Sequence, residues 1–301
     1  MDDFYAKIDT INETTYDTNT LSVIDEAGLR RTLRIDENAA VREGEVYHFT
    51  VEPIVFKDRE QWLVTAYVPL VEQAQDDGER DRLMDVFYTF APASTEQLKR
   101  SIETYLAHMS DGPIRQIVEA IYQRHHQAFY LYPAATRFHH AYIGGLAHHT
   151  ETMLRLAEGL LAVYAFLDRD LLIGGVLLHD MCKVLELSDF KNPEYTREGR
   201  LIGHITMGVK EVAKTAETLG LYDTEERLLL EHMVLSHHYY GNFGSPKKPN
   251  VPEALALHFI DNIDSKFAVL GEALAETEPG TFTQSLPVID RERFYKALRK
   301  K

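Results

Sequence analysis

Histidine and aspartate recur through the later two thirds of this sequence in short, separated groups. His149 lies in Gly144-Gly-Leu-Ala-His-His-Thr150, and His179-Asp180 in Leu177-Leu-His-Asp-Met-Cys-Lys183. His204 follows Gly203, His237-His238 follow Leu235-Ser236, and Asp261 lies in His258-Phe-Ile-Asp-Asn-Ile-Asp264. Imidazole nitrogens and carboxylate oxygens are the ligands of divalent transition metals such as Mn, Fe, Co, Ni and Zn. Adjacent residues inside a helix point about 100° apart, so His179 and Asp180 can face one centre only at a helix end or kink. One aspartate can also bridge two cations through its two oxygens. Any one of these histidines, taken singly, reads first as a packed, hydrogen-bonded side chain. Five helical segments that each deliver His or Asp at an end read as a metal centre. Asp264 shares a helix face with Asp261 and could orient a ligand histidine from behind, or serve only as a cap. His139-His140 and His148 are further histidines with no assigned role, and Cys182 reads as a small packed residue beside the site.

Cations are also grouped. Arg197 and Arg200 could meet a phosphate backbone, or form surface salt bridges. Lys247 and Lys248 stand on a Pro-stiffened loop, Gly244-Ser-Pro-Lys-Lys-Pro249, after the paired histidines. Arg291, Arg293, Lys296, Arg299, Lys300 and Lys301 accompany Phe294 and Tyr295 near the end of the chain. Cations beside aromatics suit single-stranded RNA, where bases stack and phosphates pair; an ordinary soluble helix is the alternative.

The elements that must position these residues differ between the two parts of the chain. Residues 1–72 read as β: short β-branched and aromatic runs at Thr20–Ile24, Arg31–Ile35, Val46–Phe56 and Trp62–Val68 alternate with turn signals. Four or five strands suggest a small antiparallel barrel or sandwich, with an OB-like barrel leading and a β-meander as the alternative. Residues 73–93 are polar and acidic at their start and read as a linker. From residue 94 the pattern is helical. Ser94-Thr-Glu-Gln97 has the form of a capping box. Asp111-Gly-Pro113 opens another helix. Further helices are expected over about 140–166, 168–182, 200–219, 223–238, 251–276 and 290–299.

Composition narrows the class. The chain has 301 residues, 45% of them hydrophobic and 26% charged, which excludes collagen-like and fully disordered chains. No apolar run is long enough to span a membrane. The acidic start, Met1-Asp2-Asp3, lacks the positive region of a secretory signal. A single cysteine permits no intrachain disulfide, so a soluble cytoplasmic protein is expected. The net charge is -15, from 32 Lys+Arg against 47 Asp+Glu. Residues 1–90 carry 9 basic and 20 acidic residues, and residues 91–301 carry 23 and 27. The charge argues mildly against nucleic acid, and it does so mostly through the β region.

The pattern His149…His179-Asp180…Asp261 resembles the signature of the HD superfamily of metal-dependent phosphohydrolases. His204 and His237-His238 are similar to the additional ligands of its two-metal members, including the HD-GYP phosphodiesterases. A closer resemblance is to the YhaM-type 3′→5′ exoribonucleases. It rests on Gly144–Thr150, Pro193–Ile205, Leu235–His238 with Phe243-Gly-Ser-Pro246, Glu253-Ala254 with Leu257–Lys266, and Arg293–Lys296. It covers residues 137–275 most strongly. Two departures from HD-GYP proteins stand out: Gly145 occupies a position where many carry glutamate, and no Gly-Tyr-Pro follows His238.

The resemblance implies a mainly α chain, an all-α HD-type domain (94–301, core about 137–275) preceded by the OB-like domain. It implies that His149, His179, Asp180 and Asp261 hold one metal. Asp180 would bridge to a second metal held by His204, His237 and His238. Lys183 matches the family's His-Asp-x-x-Lys pattern and would contact a phosphate oxygen or protonate the leaving oxygen. Two divalent ions are implied, manganese foremost, with Fe, Co, Ni or Zn as alternatives. Two cations roughly 3.5–4 Å apart can share a hydroxide that attacks phosphorus. The expected activity is 3′→5′ hydrolysis of single-stranded RNA to nucleoside 5′-monophosphates. The alternative is an HD phosphohydrolase of free nucleotides or cyclic dinucleotides. A non-catalytic scaffold would require a broken metal site, and every principal position is filled. Whether the chain forms a homo-oligomer is left open.

Overall fold

The computed structural model describes residues 2–73, 77–136 and 140–299. His139, Lys300 and Lys301 lie outside the described residues. The chain divides into two compact units, Met1–Phe90 and Ala91–Lys301.

The first unit is built on five strands: β1 (Asp2–Asn12), β2 (Thr18–Asp25), β3 (Arg30–Asp36), β4 (Val46–Phe56) and β5 (Arg59–Pro69). They close into an OB-like barrel in the order β1-β2-β3-β5-β4. Period-2 alternation drives this: on β2, Leu21 and Val23 point inward and meet Ile8, Leu33, Phe49 and Val51. One ladder of the expected antiparallel barrel is parallel, β3 with β5 at Leu33↔Trp62 and Arg34↔Leu63. The reason is parity, since five strands cannot alternate direction around a closed ring. Strand β1 was not among the runs separable by pattern. Only Ala6 and Ile8 of its eleven residues are fully buried, and acidic residues flank them. Yet it pairs with both β2 and β4 and closes the barrel. The stretch read as a linker carries helix α2 (Asp77–Phe87), and a single helical turn, α1 (Leu70–Gln73), precedes it.

The second unit is helical: α3 (Thr95–Ala107), α4 (Pro113–Phe129), α5 (Gly145–Val163), α6 (Arg169–Leu178), α7 (Lys183–Glu186), α8 (Arg197–Thr218), α9 (Glu225–Ser236) and α10 (Pro252–Glu276). Their starts are encoded locally. Ser94 and Gln97 form a reciprocal capping box on α3. Asp168, Thr196 and Thr224 cap α6, α8 and α9 through their side-chain oxygens. Helix α6 is buried from Leu171 to Leu178, so it forms the centre around which α4, α5, α9 and α10 pack one continuous core.

Two expected helix limits change and one expected helix is missing. Helix α5 begins at Gly145, not near 140, because Gly144 adopts a left-handed φ of 78°. Helix α6 stops at Leu178, which leaves His179 and Asp180 in a turn. The helix expected over 290–299 is absent. Left-handed residues Asp290 and Arg291 turn the chain back, and the bridges Phe282↔Tyr295 and Leu286↔Glu292 pair it with the preceding segment.

Candidate metal centre

Each central histidine is fixed from behind by a hydrogen bond to Nδ1. His149, in the second turn of α5, is 2.6 Å from Asp264 Oδ2. His179, at the end of α6, donates from Nδ1 to the Val176 carbonyl at 2.7 Å. His237, at the end of α9, does the same to Val234 at 2.8 Å. His204 Nδ1 lies 3.0 Å from Glu186 Oε1. Held at Nδ1, each ring turns Nε2 inward.

Those Nε2 atoms surround Asp180. His179 Nε2 is 3.3 Å from Asp180 Oδ2, and His149 Nε2 is 4.0 Å from the same oxygen. On the other side, His204 Nε2 is 3.2 Å and His237 Nε2 3.8 Å from Asp180 Oδ1. Asp261 Oδ1 closes the first group at 3.4 Å from His149 Nε2. Among the described residues three sets of potential ligand atoms lie within 4.8 Å of one another: His149, His179 and Asp261; Asp180, His204, His237 and His238; and His140, His149 and Asp264. Asp261 and Asp264 reach His149 together because residues three apart share a face of α10.

The donor set fits a divalent cation. Asp180 Oδ1, His204 Nε2 and His237 Nε2 are buried and meet no hydrogen-bond partner among the described residues. Buried polar atoms normally find partners, and a cation is what these three would share. The donors are nitrogen and oxygen only. Cys182 is buried beside them, but burial first, and Glu211 and Glu186 after it, push its thiol up to about 12. It is a packed residue, as expected.

The charges are mutually set. Burial works against ionised Asp180, but Lys183, His179 and His204 hold it well below the usual carboxylate range. Burial likewise opposes Asp261, and His149, His179 and His237 bring it down. Burial also opposes protonation of His149, yet Asp261 and Asp264 raise it to about 9. His237 goes the other way, well below its ordinary value, through burial and then His238 and His179. Lys183 Nζ stands 2.7 Å from Asp180 Oδ2 and donates to the Ala134 carbonyl at 2.6 Å.

The remaining sequence candidates are placed less pointedly. Arg197 is exposed and ion-paired to Glu198 at 2.6 Å. Arg200, Lys247, Lys248 and Arg293 are exposed, and the Lys248 ammonium stands 5.0 Å over the ring of Tyr239. Lys296 turns inward and donates to the Thr277 carbonyl at 2.6 Å.

Two contributors escaped the sequence reading. Glu186, which holds His204, is one of 47 acidic residues and sits in no metal-ligand spacing. His140, 2.7 Å from Asp264 Oδ2, was visible as an extra histidine but not as a neighbour of Asp264, 124 residues away.

The HD domain family matches residues 146–266, the segment that carries all seven ligand candidates. The chain is 43% identical over 222 residues to the 3'-5' exoribonuclease YhaM of Geobacillus sp. (strain WCH70), covering 74% of this chain and 68% of that one. It is 40% identical to the protein of the same name from Bacillus pumilus, over 84% of this chain and 76% of the relative. The Bacillus subtilis protein is 39% identical with the same coverage. No solved structure matches significantly. On the identity and coverage of these relatives, with an HD domain around the histidine–aspartate cluster, the chain belongs to the family of YhaM 3'-5' exoribonucleases.

Proposed function

We propose that the chain is a metal-dependent 3′→5′ exoribonuclease that hydrolyses single-stranded RNA to nucleoside 5′-monophosphates. The observation that carries this reading is Asp180, whose two oxygens face two separate sets of imidazoles. In this reading His149, His179, Asp180 and Asp261 hold one divalent cation. His204, His237 and His238, with the other oxygen of Asp180, hold a second. When bound, the cations lower the pKa of water and offset charge that develops on the phosphate. The protein's own part is orientation. Asp264, Glu186 and the Val176 and Val234 carbonyls hold four rings by Nδ1, so that Nε2 of each is turned toward Asp180 and Asp261. Lys183 has three donors and places two of them on Asp180 and Ala134. The third is available to a phosphate oxygen or to the leaving oxygen. Arg197, Arg200, Lys247, Lys248 and Arg293 are the exposed cations for the RNA backbone. The Nζ of Lys296 is tied to Thr277, so it ranks below them. Manganese is the first metal to test, and the nitrogen–oxygen donor set also accommodates Fe, Co, Ni and Zn. No described helix is long and apolar enough to cross a membrane, which fits a cytoplasmic enzyme.

The test uses 5′-labelled single-stranded RNA with added Mn²⁺. A ladder of products shortened from the 3′ end is expected. Asp180→Asn should slow it by on the order of 10³-fold while the circular dichroism spectrum is kept. Intact RNA alongside hydrolysis of mononucleotides or cyclic dinucleotides would overturn the substrate, and wild-type turnover in Asp180→Asn would overturn the metal assignment.

A further inference from the structure

The backbone at His140 is bent for the sake of its side chain. His140 takes a left-handed φ of 54°, a region that residues other than glycine seldom occupy. Its carbonyl accepts from Ala134 N at 3.1 Å. The same carbonyl oxygen lies 1.9 Å from where a Cβ on Gly145 would stand, so this loop conformation requires glycine at 145. An unfavourable backbone state held by its surroundings is a pointer to function, and the ring it delivers reaches the metal centre. His140 Nε2 lies 2.7 Å from Asp264 Oδ2, the oxygen that also holds His149 Nδ1 at 2.6 Å. All three side chains are buried.

The proton positions follow from one end. Asp264 Oδ2 lies within hydrogen-bond distance of two imidazole nitrogens and is their shared acceptor. His140 therefore donates from Nε2, and in the neutral ring Nδ1 must accept. The donor is the hydroxyl of Tyr142, 2.6 Å away. Burial pushes this phenol up, so it keeps its proton. The Tyr142 oxygen in turn accepts from His148 Nδ1 at 2.8 Å. The chain His148–Tyr142–His140–Asp264 thus ends on the ring of His149.

We propose that His140, held by Tyr142, is a positioning residue of the metal centre: it locks the Asp264 carboxylate so that His149 keeps Nε2 turned to the cation. The inference rests on the reading of His149 as a metal ligand. A carboxylate with one imidazole donor can rotate and take its partner ring with it. Two donors on one oxygen remove that freedom. Residues that act on a metal through its ligands change affinity by about 10–100-fold when removed.

The test is calorimetric titration of Mn²⁺ into the EDTA-treated whole chain, with thermal melts in EDTA alongside. His140→Ala should weaken Mn²⁺ binding by about 10–100-fold and raise the Mn²⁺ needed for half-maximal RNA cleavage by the same factor. The rate at saturating Mn²⁺ should be kept. His140→Gln, whose amide can still donate to Asp264, should recover part of the affinity. Wild-type affinity in His140→Ala overturns the proposal, as does a Gln variant that binds as poorly as Ala, since ring packing would then explain the loss. Should His140→Ala not fold, Tyr142→Phe decides: several-fold weaker Mn²⁺ binding supports the proposal and unchanged binding overturns it. Wild-type protein that takes up no Mn²⁺ overturns the metal reading itself, and this inference with it. Wild-type protein that binds Mn²⁺ but leaves RNA intact overturns only the substrate.

Discussion

Glu186 stands behind His204 as Asp264 stands behind His149, but it does two things at once. Its Oε1 accepts from the backbone N of His204 at 2.9 Å and from the ring Nδ1 at 3.0 Å. Burial opposes the ionised form of Glu186, and His204 lowers its pKa again. Removing the carboxylate therefore frees the ring and strands a backbone donor. Glu186→Ala should reduce Mn²⁺ affinity by about 10-fold or more. Glu186→Gln keeps one accepting oxygen and should lose less, a difference that titration of both variants measures. At this scale the sequence made the candidate ligands legible and left their supports opaque. His149, His179, Asp180, His204, His237, His238 and Asp261 are residue types with few other reasons to cluster. A support needs only an acceptor, and Val176 and Val234 supply theirs from the main chain, which no side-chain pattern announces.

The expectation that every segment delivers its residue at a helix end holds only in part, because Asp261 stands inside α10 and His149 inside α5. His179 and His237 sit at the ends of α6 and α9, while His204 needs an interruption in the middle of α8. Gly203 breaks that helix with φ 75° and ψ 152°, a combination essentially restricted to glycine. The break makes His204 the start of a new helical stretch, so its N–H has no partner within the helix and is free for Glu186. A Cβ at position 203 would meet only Glu186 Oε1 at 3.8 Å, so space is not what excludes other residues. Gly203→Ala should cost about 1–3 kcal/mol through conformation alone, read from the urea midpoint. It should also weaken Mn²⁺ binding, because relief of the strain draws His204 away from Asp180. An unchanged midpoint would mean that the break is not fixed by glycine. Apolar periodicity extended α5 back to 140 and α6 on to 182, because buried residues such as Met181 and Cys182 continue the pattern past the true ends. The limits are set by Gly144 and by the turn at His179-Asp180. The segment 290–299 misled in the same way, since its helix-forming residues are overruled by the left-handed turn at Asp290 and Arg291.

Charge divides the molecule as sharply as the fold does. Residues 1–90 hold 9 basic against 20 acidic residues, and residues 91–301 hold 23 against 27. Several of the barrel's cations are already engaged. Arg31 pairs with Asp25 at 2.7 Å, and the Arg34 guanidinium lies 3.8 Å over the ring of Phe56. An acidic barrel opposes a polyanion through its long-range field, and that field is screened within about 8 Å at 0.15 M salt. Each unit has its own hydrophobic core, so residues 91–301 should fold alone and bind Mn²⁺ as the whole chain does. If RNA is the substrate, this fragment at low ionic strength should show a lower KM for single-stranded RNA than the whole chain, with kcat unchanged. The difference should close as salt approaches about 0.15 M. Circular dichroism, Mn²⁺ titration and steady-state cleavage at two ionic strengths check the three parts in turn. A fragment whose KM is higher at both salts would assign the barrel the opposite role. Its exposed Tyr16 and neighbouring Phe56 would then hold RNA by stacking, which charge does not forbid.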